Sequence, residues 1–152
     1  MPISKFTILP AVFGAVSSIC LALPALAGDV SINDAYAITS GPSAMSGGIF
    51  MEIDNSGAAD DQLIAAKTDV SKMTQLHTHI IDSNGVAQMR EVDGGFTVPA
   101  HGAAILKRGG DHIMLMGLTK PLAQGDIVHL TLSFEHAGEV SIDVPVDLTR
   151  KP

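Results

Sequence analysis

The chain has 152 residues, a length that suits one domain, with a formal charge of −7, no Trp and only 4% aromatic residues. An acidic chain without a Lys/Arg run is a poor partner for nucleic acid, because neutralising phosphates needs clustered cations. The 15 Gly and 8 Pro are scattered, which fits many turns and an all-β chain better than a helical one.

In chain order, the first 27 residues read as an export signal. Lys5 gives a positive start, Phe6 to Leu23 is almost uninterruptedly apolar, and Pro24-Ala25-Leu26-Ala27 ends in a small-x-small cleavage site. The apolar stretch is short for a membrane span and is broken by Pro10 and Gly14. The mature chain is therefore expected to start at Gly28 as one domain, 28–152, in the periplasm, with no permanent membrane insertion. A lipid on Cys20 is not expected, because bulky Ile19 precedes it. Cys20 is the single cysteine and leaves with the signal, so disulfides and Cys catalysis are excluded from the mature chain.

Strand-like runs with turn signals between them follow. They are expected over Val30–Thr39, Gly48–Asp54, Gln62–Thr68, Met73–Ile81, Val86–Val92, Phe96–Val98, Ala103–Leu106, His112–Leu118, Asp126–Phe134 and Glu139–Val146. Asp82-Ser83-Asn84-Gly85 predicts a hairpin through Asn-Gly. In the run ending at Phe134, Ile127, His129, Thr131 and Ser133 face one way and Val128, Leu130, Leu132 and Phe134 the other, the mark of a half-buried antiparallel strand. Residues 56–66 are expected to have room for one helical turn. About eight short strands argue for a β-sandwich or Greek-key barrel.

The chemistry concentrates between His77 and Met116, with His77, His79, Met89, His112, Met114 and Met116. Thioether sulfur is a soft donor that suits Cu(I), and imidazole suits Cu(I), Cu(II) and Zn. A His/Met set without carboxylate or thiolate therefore points to copper. Positions two apart share a side of a strand, so His112 aligns with Met114 and His77 with His79, while the Asn84-Gly85 hairpin could bring His77 near Met89. Each residue also has a plainer reading: methionines fill cores, and 112–116 could be an ordinary buried strand. His101, His129 and His136 read as surface or satisfied polar residues. Met45, Met51 and Met73 read as core or surface. No nucleophile elbow, HExxH or phosphate loop is present, so no enzyme is expected. A blue-copper electron-transfer site would need a Cys thiolate that the mature chain lacks.

Several segments carry a resemblance. Gln75-Leu76-His77, Gly85-Val86-Ala87-Gln88-Met89-Arg90, Val98-Pro99-Ala100, Gly109-Gly110-Asp111-His112-Ile113-Met114-Leu115-Met116-Gly117-Leu118, Pro121-Leu122 and Gly125-Asp126 resemble the periplasmic copper chaperones associated with the CuA centre of cytochrome c oxidase. The resemblance runs from about Gly48 to Val146. It implies a cupredoxin-like β-fold and Cu(I) held by His77, Met89, His112 and Met114. From their shared strand faces alone, His79 is an auxiliary candidate beside His77, and Met116 beside Met114 is an auxiliary candidate that reads more as packing; Cu(II) is left open. It also implies a copper-accepting partner, such as the oxidase subunit with the CuA site or another copper chaperone. Copper sequestration or resistance without a dedicated acceptor is the alternative. The chain departs from the family pattern at Gln75, where an acidic residue is common, and at Asp111, where an aromatic is frequent. The interval from Met89 to His112 is also one residue longer.

Overall fold

A computed structural model describes residues 28–151, and the expected export signal with Cys20 lies outside the described residues. Ten strands follow one another: β1 (Val30–Thr39), β2 (Ser46–Asn55), β3 (Asp61–Thr68), β4 (Ser71–Ile81), β5 (Ala87–Glu91), β6 (Phe96–Val98), β7 (Gly102–Leu106), β8 (His112–Leu118), β9 (Ile127–Phe134) and β10 (Gly138–Pro145). They form two antiparallel sheets. The larger runs β1-β2-β8-β4-β5, with β7 also paired to β2, and the smaller runs β10-β9-β3-β6. The expected all-β sandwich is what forms, with one strand on each of the ten expected runs.

The expected helical turn within 56–66 does not form. From Asp61 onward the chain is strand, because β3 is claimed on both edges, by β6 and β9. Asp61 anchors that strand. Its carboxylate accepts the backbone N–H groups of Gln62, His136 and Ala137 at 2.7–2.9 Å. Backbone donors satisfied in this way compete directly with a local helix.

The core lies between the sheets. Ile49, Ile53, Leu63, Val98, Ile113, Leu115, Val128, Leu132 and Val144 are fully enclosed, each worth about 1.5–3 kcal/mol of transfer free energy. Alternation then decides what faces out. β9 alternates as its sequence predicts, with Val128, Leu130, Leu132 and Phe134 inward. In β8, Ile113 and Leu115 are fully buried, which sends His112, Met114 and Met116 to the outer face of the larger sheet. A one-residue slip would exchange the two sets and put imidazole and thioether into the core, so burial of Ile113 and Leu115 fixes the register of the outer face.

The predicted hairpin is present. Asp82 and Val86 close it, with Asp82 N–H donating to Val86 O at 3.0 Å, and Gly85 sits at φ 78°, as the turn requires. A second turn precedes β8. The Gly110 N–H donates to Lys107 O at 3.0 Å, and Gly109 at its third position has φ 78°, the geometry of a type II turn.

Candidate metal centre

Three strands of the larger sheet carry the His/Met set on its outer face. β4 and β8 pair with His77 opposite His112, Gln75 opposite Met114 and Met73 opposite Met116. β4 and β5 pair with His79 opposite Met89 and His77 opposite Glu91. On the far side of β8, Gly48 of β2 faces Met114 and Ser46 faces Met116. The hairpin therefore sets His79, rather than His77, directly across from Met89, and leaves His77 on the diagonal. These side chains lie on strand faces.

The plainer readings separate here. Met51 is a core residue, 2% exposed, whereas Met89 is 54% exposed and packs no interior. Met73 and Met45 are exposed as well. Met116 lies two residues further along β8 than Met114, opposite Met73 and Ser46. His129 pairs with Asp143 on the outer face of the smaller sheet, His136 adjoins the Asp61 anchor, and His101 occupies a left-handed turn position, φ 52°.

A pocket of about 350 Å³ opens where these strands meet. His79, Met89, His112 and Met114 line it with Phe50, Gly48 and Arg108. His112 is 4% exposed despite facing outward, because Phe50 covers one side of its ring (centroids 6.0 Å apart) and His79 and His77 the others (5.3 and 5.9 Å). Phe50 in turn stacks on Tyr36 at 5.3 Å. The ring lies back over Gly48, where an added Cβ would come within 3.1–3.2 Å of it. Glycine at 48 thus gives the aromatic its place against the histidine.

Hydrogen bonds leave each imidazole a free nitrogen. His112 Nδ1 lies 2.9 Å from Gly110 O. A carbonyl only accepts, so Nδ1 carries the proton and Nε2 presents its lone pair. His77 Nε2 lies 3.1 Å from Gln75 Oε1, which leaves its Nδ1 free, and that Nδ1 is buried without a partner. His79 Nδ1 is likewise buried and unpartnered. Orphaned buried nitrogens are costly unless something binds them. Burial pushes the His112 pKa down, and the nearby His79 and His77 push the same way against the Gly110 carbonyl and Asp111. The ring is thus neutral and able to donate at neutral pH.

Among the described residues no three His, Cys, Asp or Glu side chains are drawn up as a metal site. The imidazoles of His79 and His112 and the thioethers of Met89 and Met114 line one pocket with soft and borderline groups of no net charge, and His77 lies outside its lining. Such a set fits a monovalent soft cation better than Zn(II) or Ca(II). The aligned parity of His77 with His79 and of His112 with Met114 was legible in the sequence. The contributions of Phe50, Gly48 and Arg108 were not, because they come from β2 and from the turn before β8.

The fold is shared with solved PCuAC domains. The copper-bound PCuAC domain from PmoF2 is 24% identical, with 80% of this chain and 94% of that one covered and a TM-score of 0.66. Apo-DR1885 from Deinococcus radiodurans is 28% identical, with 98% and 97% covered and a TM-score of 0.62. CuI-DR1885 from the same organism is also 28% identical, with 90% and 87% covered and a TM-score of 0.62. A curated relative, a "putative lipoprotein" from Leifsonia xyli subsp. xyli, is 35% identical over 97 residues, and the match spans 64% of this chain and 58% of that relative's own length. The family model described as "Putative lipoprotein LpqE-like" matches residues 30–146. With that match running from the first strand to the end of the last, the chain belongs to the LpqE-like lipoprotein family.

Proposed function

We propose that this chain is an exported copper carrier that holds one Cu(I) at the outer face of its larger sheet and passes it to an acceptor protein. His77, Met89, His112 and Met114 are the donors expected from the sequence, and the pairing of His79 with Met89 supports His79 as a donor that shares or replaces the place of His77. The observation that carries the reading is the pocket that His79 and His112 line together with the thioethers of Met89 and Met114, with the His79 Nδ1 buried and unpartnered beside them. Cu(I)-bound and apo forms of a relative with this fold support it.

The acceptor we favour is a thiolate site such as CuA of cytochrome c oxidase. Cu(I) tolerates low coordination numbers, and thiolate is a stronger soft donor than thioether. Donors could therefore be exchanged one at a time along a downhill path. The donors on β4, β5 and β8 sit at the surface, which suits such an exchange. No hydrolytic or redox catalysis is proposed.

Export fits the expected signal and the lipoprotein description of the family. Cleavage after Ala27 would release the protein to the periplasm, whereas a lipid on Cys20 would tether it. The intact mass of protein from the cell envelope separates these outcomes. The main test is competition of residues 28–152 against a Cu(I) chelator, then transfer to a purified CuA-bearing subunit. One copper per chain, lost to the subunit, is expected. Absence of Cu(I) binding would overturn the reading, and tight binding without transfer would favour sequestration.

A further inference from the structure

No basic run occurs in the sequence, yet the fold assembles one. Of the nine Lys and Arg, four occur as two dipeptides, Lys107-Arg108 and Arg150-Lys151. The guanidinium of Arg108 donates from Nη2 to the Arg150 carbonyl at 2.7 Å, which brings the two dipeptides together. Arg108 is held at the second position of the type II turn before β8 by the Gly110-to-Lys107 hydrogen bond. Arg150 lies over the Tyr36 ring, 4.5 Å from its centroid, and pairs with Asp34. Tyr36 stacks on Phe50, and Phe50 on His112. A continuous layer thus links this corner to the candidate metal centre.

Arg108 has a second property. It lines the same pocket as His79, Met89, His112 and Met114, and its Nε is buried with no partner. The enclosed Nε is not the contact point, but the guanidinium as a whole is always charged, and a carboxylate at the pocket mouth meets it with a charge-assisted bond. Copper held by uncharged donors adds a further positive charge to this pocket. Asp34 and Asp147 offset Arg150, but Arg108 lines the pocket with no carboxylate among its lining residues, so on a chain of net charge −7 the pocket mouth is a local positive spot that would orient an anionic partner.

We propose that the corner formed by Lys107, Arg108, Arg150 and Lys151 is the docking site for the copper acceptor. The segment it takes is an acidic stretch of polypeptide beside the acceptor's thiols, with a carboxylate on Arg108. This rests on the copper-carrier reading and adds the chemistry of the partner. In the transfer step a copper–thioether bond breaks and a copper–thiolate bond forms. The metal stays Cu(I), and the acceptor thiol gives its proton to solvent. Arg108 is a positioning residue for the incoming chain and not a copper donor.

The test uses residues 28–152 as parent, Arg108→Gln and Arg108→Lys, each loaded with Cu(I). Two synthetic dithiol peptides serve as acceptors, one rich in Glu and one with every Glu replaced by Gln. For Arg108→Gln we expect transfer to the acidic peptide to slow about tenfold, with partial rescue by Arg108→Lys. Transfer to the neutral peptide should slow far less, so that the acidic-to-neutral rate ratio, which cancels any change in Cu(I) affinity, falls about tenfold. The parent's preference for the acidic peptide should shrink between about 10 mM and 150 mM salt, as the screening length falls from about 30 to 8 Å.

Equal slowing with both peptides would overturn the proposal, because Arg108 would then serve the metal site itself. Arg108-dependent binding to phosphatidylglycerol vesicles, with transfer to the acidic peptide unaffected, would overturn it in favour of a membrane surface. Fluorescence anisotropy of the acidic peptide with apo protein keeps the two readings apart. Arg108-dependent peptide binding in a protein that retains no copper overturns the carrier reading alone. Retained copper with no dependence on Arg108 overturns the docking proposal alone.

Discussion

Two histidines on outward sheet faces meet opposite fates. His129, on β9, points away from the core between inward Val128 and Leu130, and its Nδ1 lies 2.6 Å from the Asp143 carboxylate, with the two side chains 72% and 69% exposed. His112, on β8, is 4% exposed, has its Nδ1 tied to Gly110 and faces imidazoles and thioethers. Parity alone put both rings outside their sheets. What separates them is partnering. On the smaller sheet the imidazole meets a carboxylate and water, whereas on the larger one imidazoles and thioethers are gathered beside an aromatic cover with imidazole nitrogens left unpartnered.

The sharpest way to break that contrast is His112→Ala. It removes the ring at the centre of the set, and we expect Cu(I) affinity to fall at least about 100-fold, or about 2.7 kcal/mol. Chelator competition measures it. A loss below about threefold would mean that the site lies elsewhere.

The partnered region is broken at Asp61. Burial pushes the Asp61 pKa up, but the N–H groups of His136, Gln62 and Ala137 outweigh it, and the net shift is downward. A carboxyl whose folded pKa is depressed stabilises the fold above its unfolded value, about 3.9. That contribution disappears as pH falls through the lower folded value. Asp61→Asn removes the charge that these donors favour, and we expect a loss of about 2 kcal/mol at neutral pH, read from urea midpoints. The deficit should shrink below about pH 4, with Cu(I) affinity unchanged throughout.

Met89 and Met114 come next. Leucine keeps their apolar bulk, and the exposure of Met89 leaves little packing to lose. The double change Met89→Leu, Met114→Leu should leave thermal stability nearly intact. It should cost at least about tenfold in Cu(I) affinity, or about 1.4 kcal/mol, and cost less for any Cu(II) bound through imidazole. Intact Cu(I) affinity would show that the sulfurs are bystanders.

The fold was readable because alternation is local. Val30–Thr39, Phe96–Val98 and His112–Leu118 stand where the sequence set them, since each inward residue has an outward neighbour that a period of two identifies. Residues 56–66 misled because small and polar residues there leave helix and strand close in local preference, and the decision came from Asp61 meeting a turn 75 residues away. Pairing across strands is non-local in the same way. His77 and His79 are equivalent by parity, and only the length of the Asp82–Val86 turn sets which of them faces Met89. Arg108 reads as one loop cation among others until the C-terminal segment comes to rest beside it.

That equivalence of His77 and His79 supplies a finer prediction. With both on one face and His79 nearer Met89, each can replace the other in part. His79→Ala should cost about threefold in Cu(I) affinity, roughly 0.65 kcal/mol, and His77→Ala somewhat less. The double variant should lose more than the product of the two, because each single variant keeps a substitute donor. A single variant as damaging as His112→Ala would show a fixed ligand with no substitute.

The smallest effect is expected on the smaller sheet, and it is informative because it is small. His129→Ala removes an imidazole as outward-facing as any in the candidate centre, together with its contact to Asp143. Exposed pairs of this kind contribute between nothing and about 1 kcal/mol, because water screens the charges and two mobile side chains must be held still. No thioether lines the shallow site shared with Leu130, Thr131, Ser141 and Ile142, so a soft cation finds no second donor there. We expect Cu(I) affinity to stay within about twofold, roughly 0.4 kcal/mol, and the urea midpoint to move little. A copper loss matching that of His79→Ala would mean that outward exposure of imidazole is enough to hold the ion, and that the soft, covered arrangement around His112 is not what selects it.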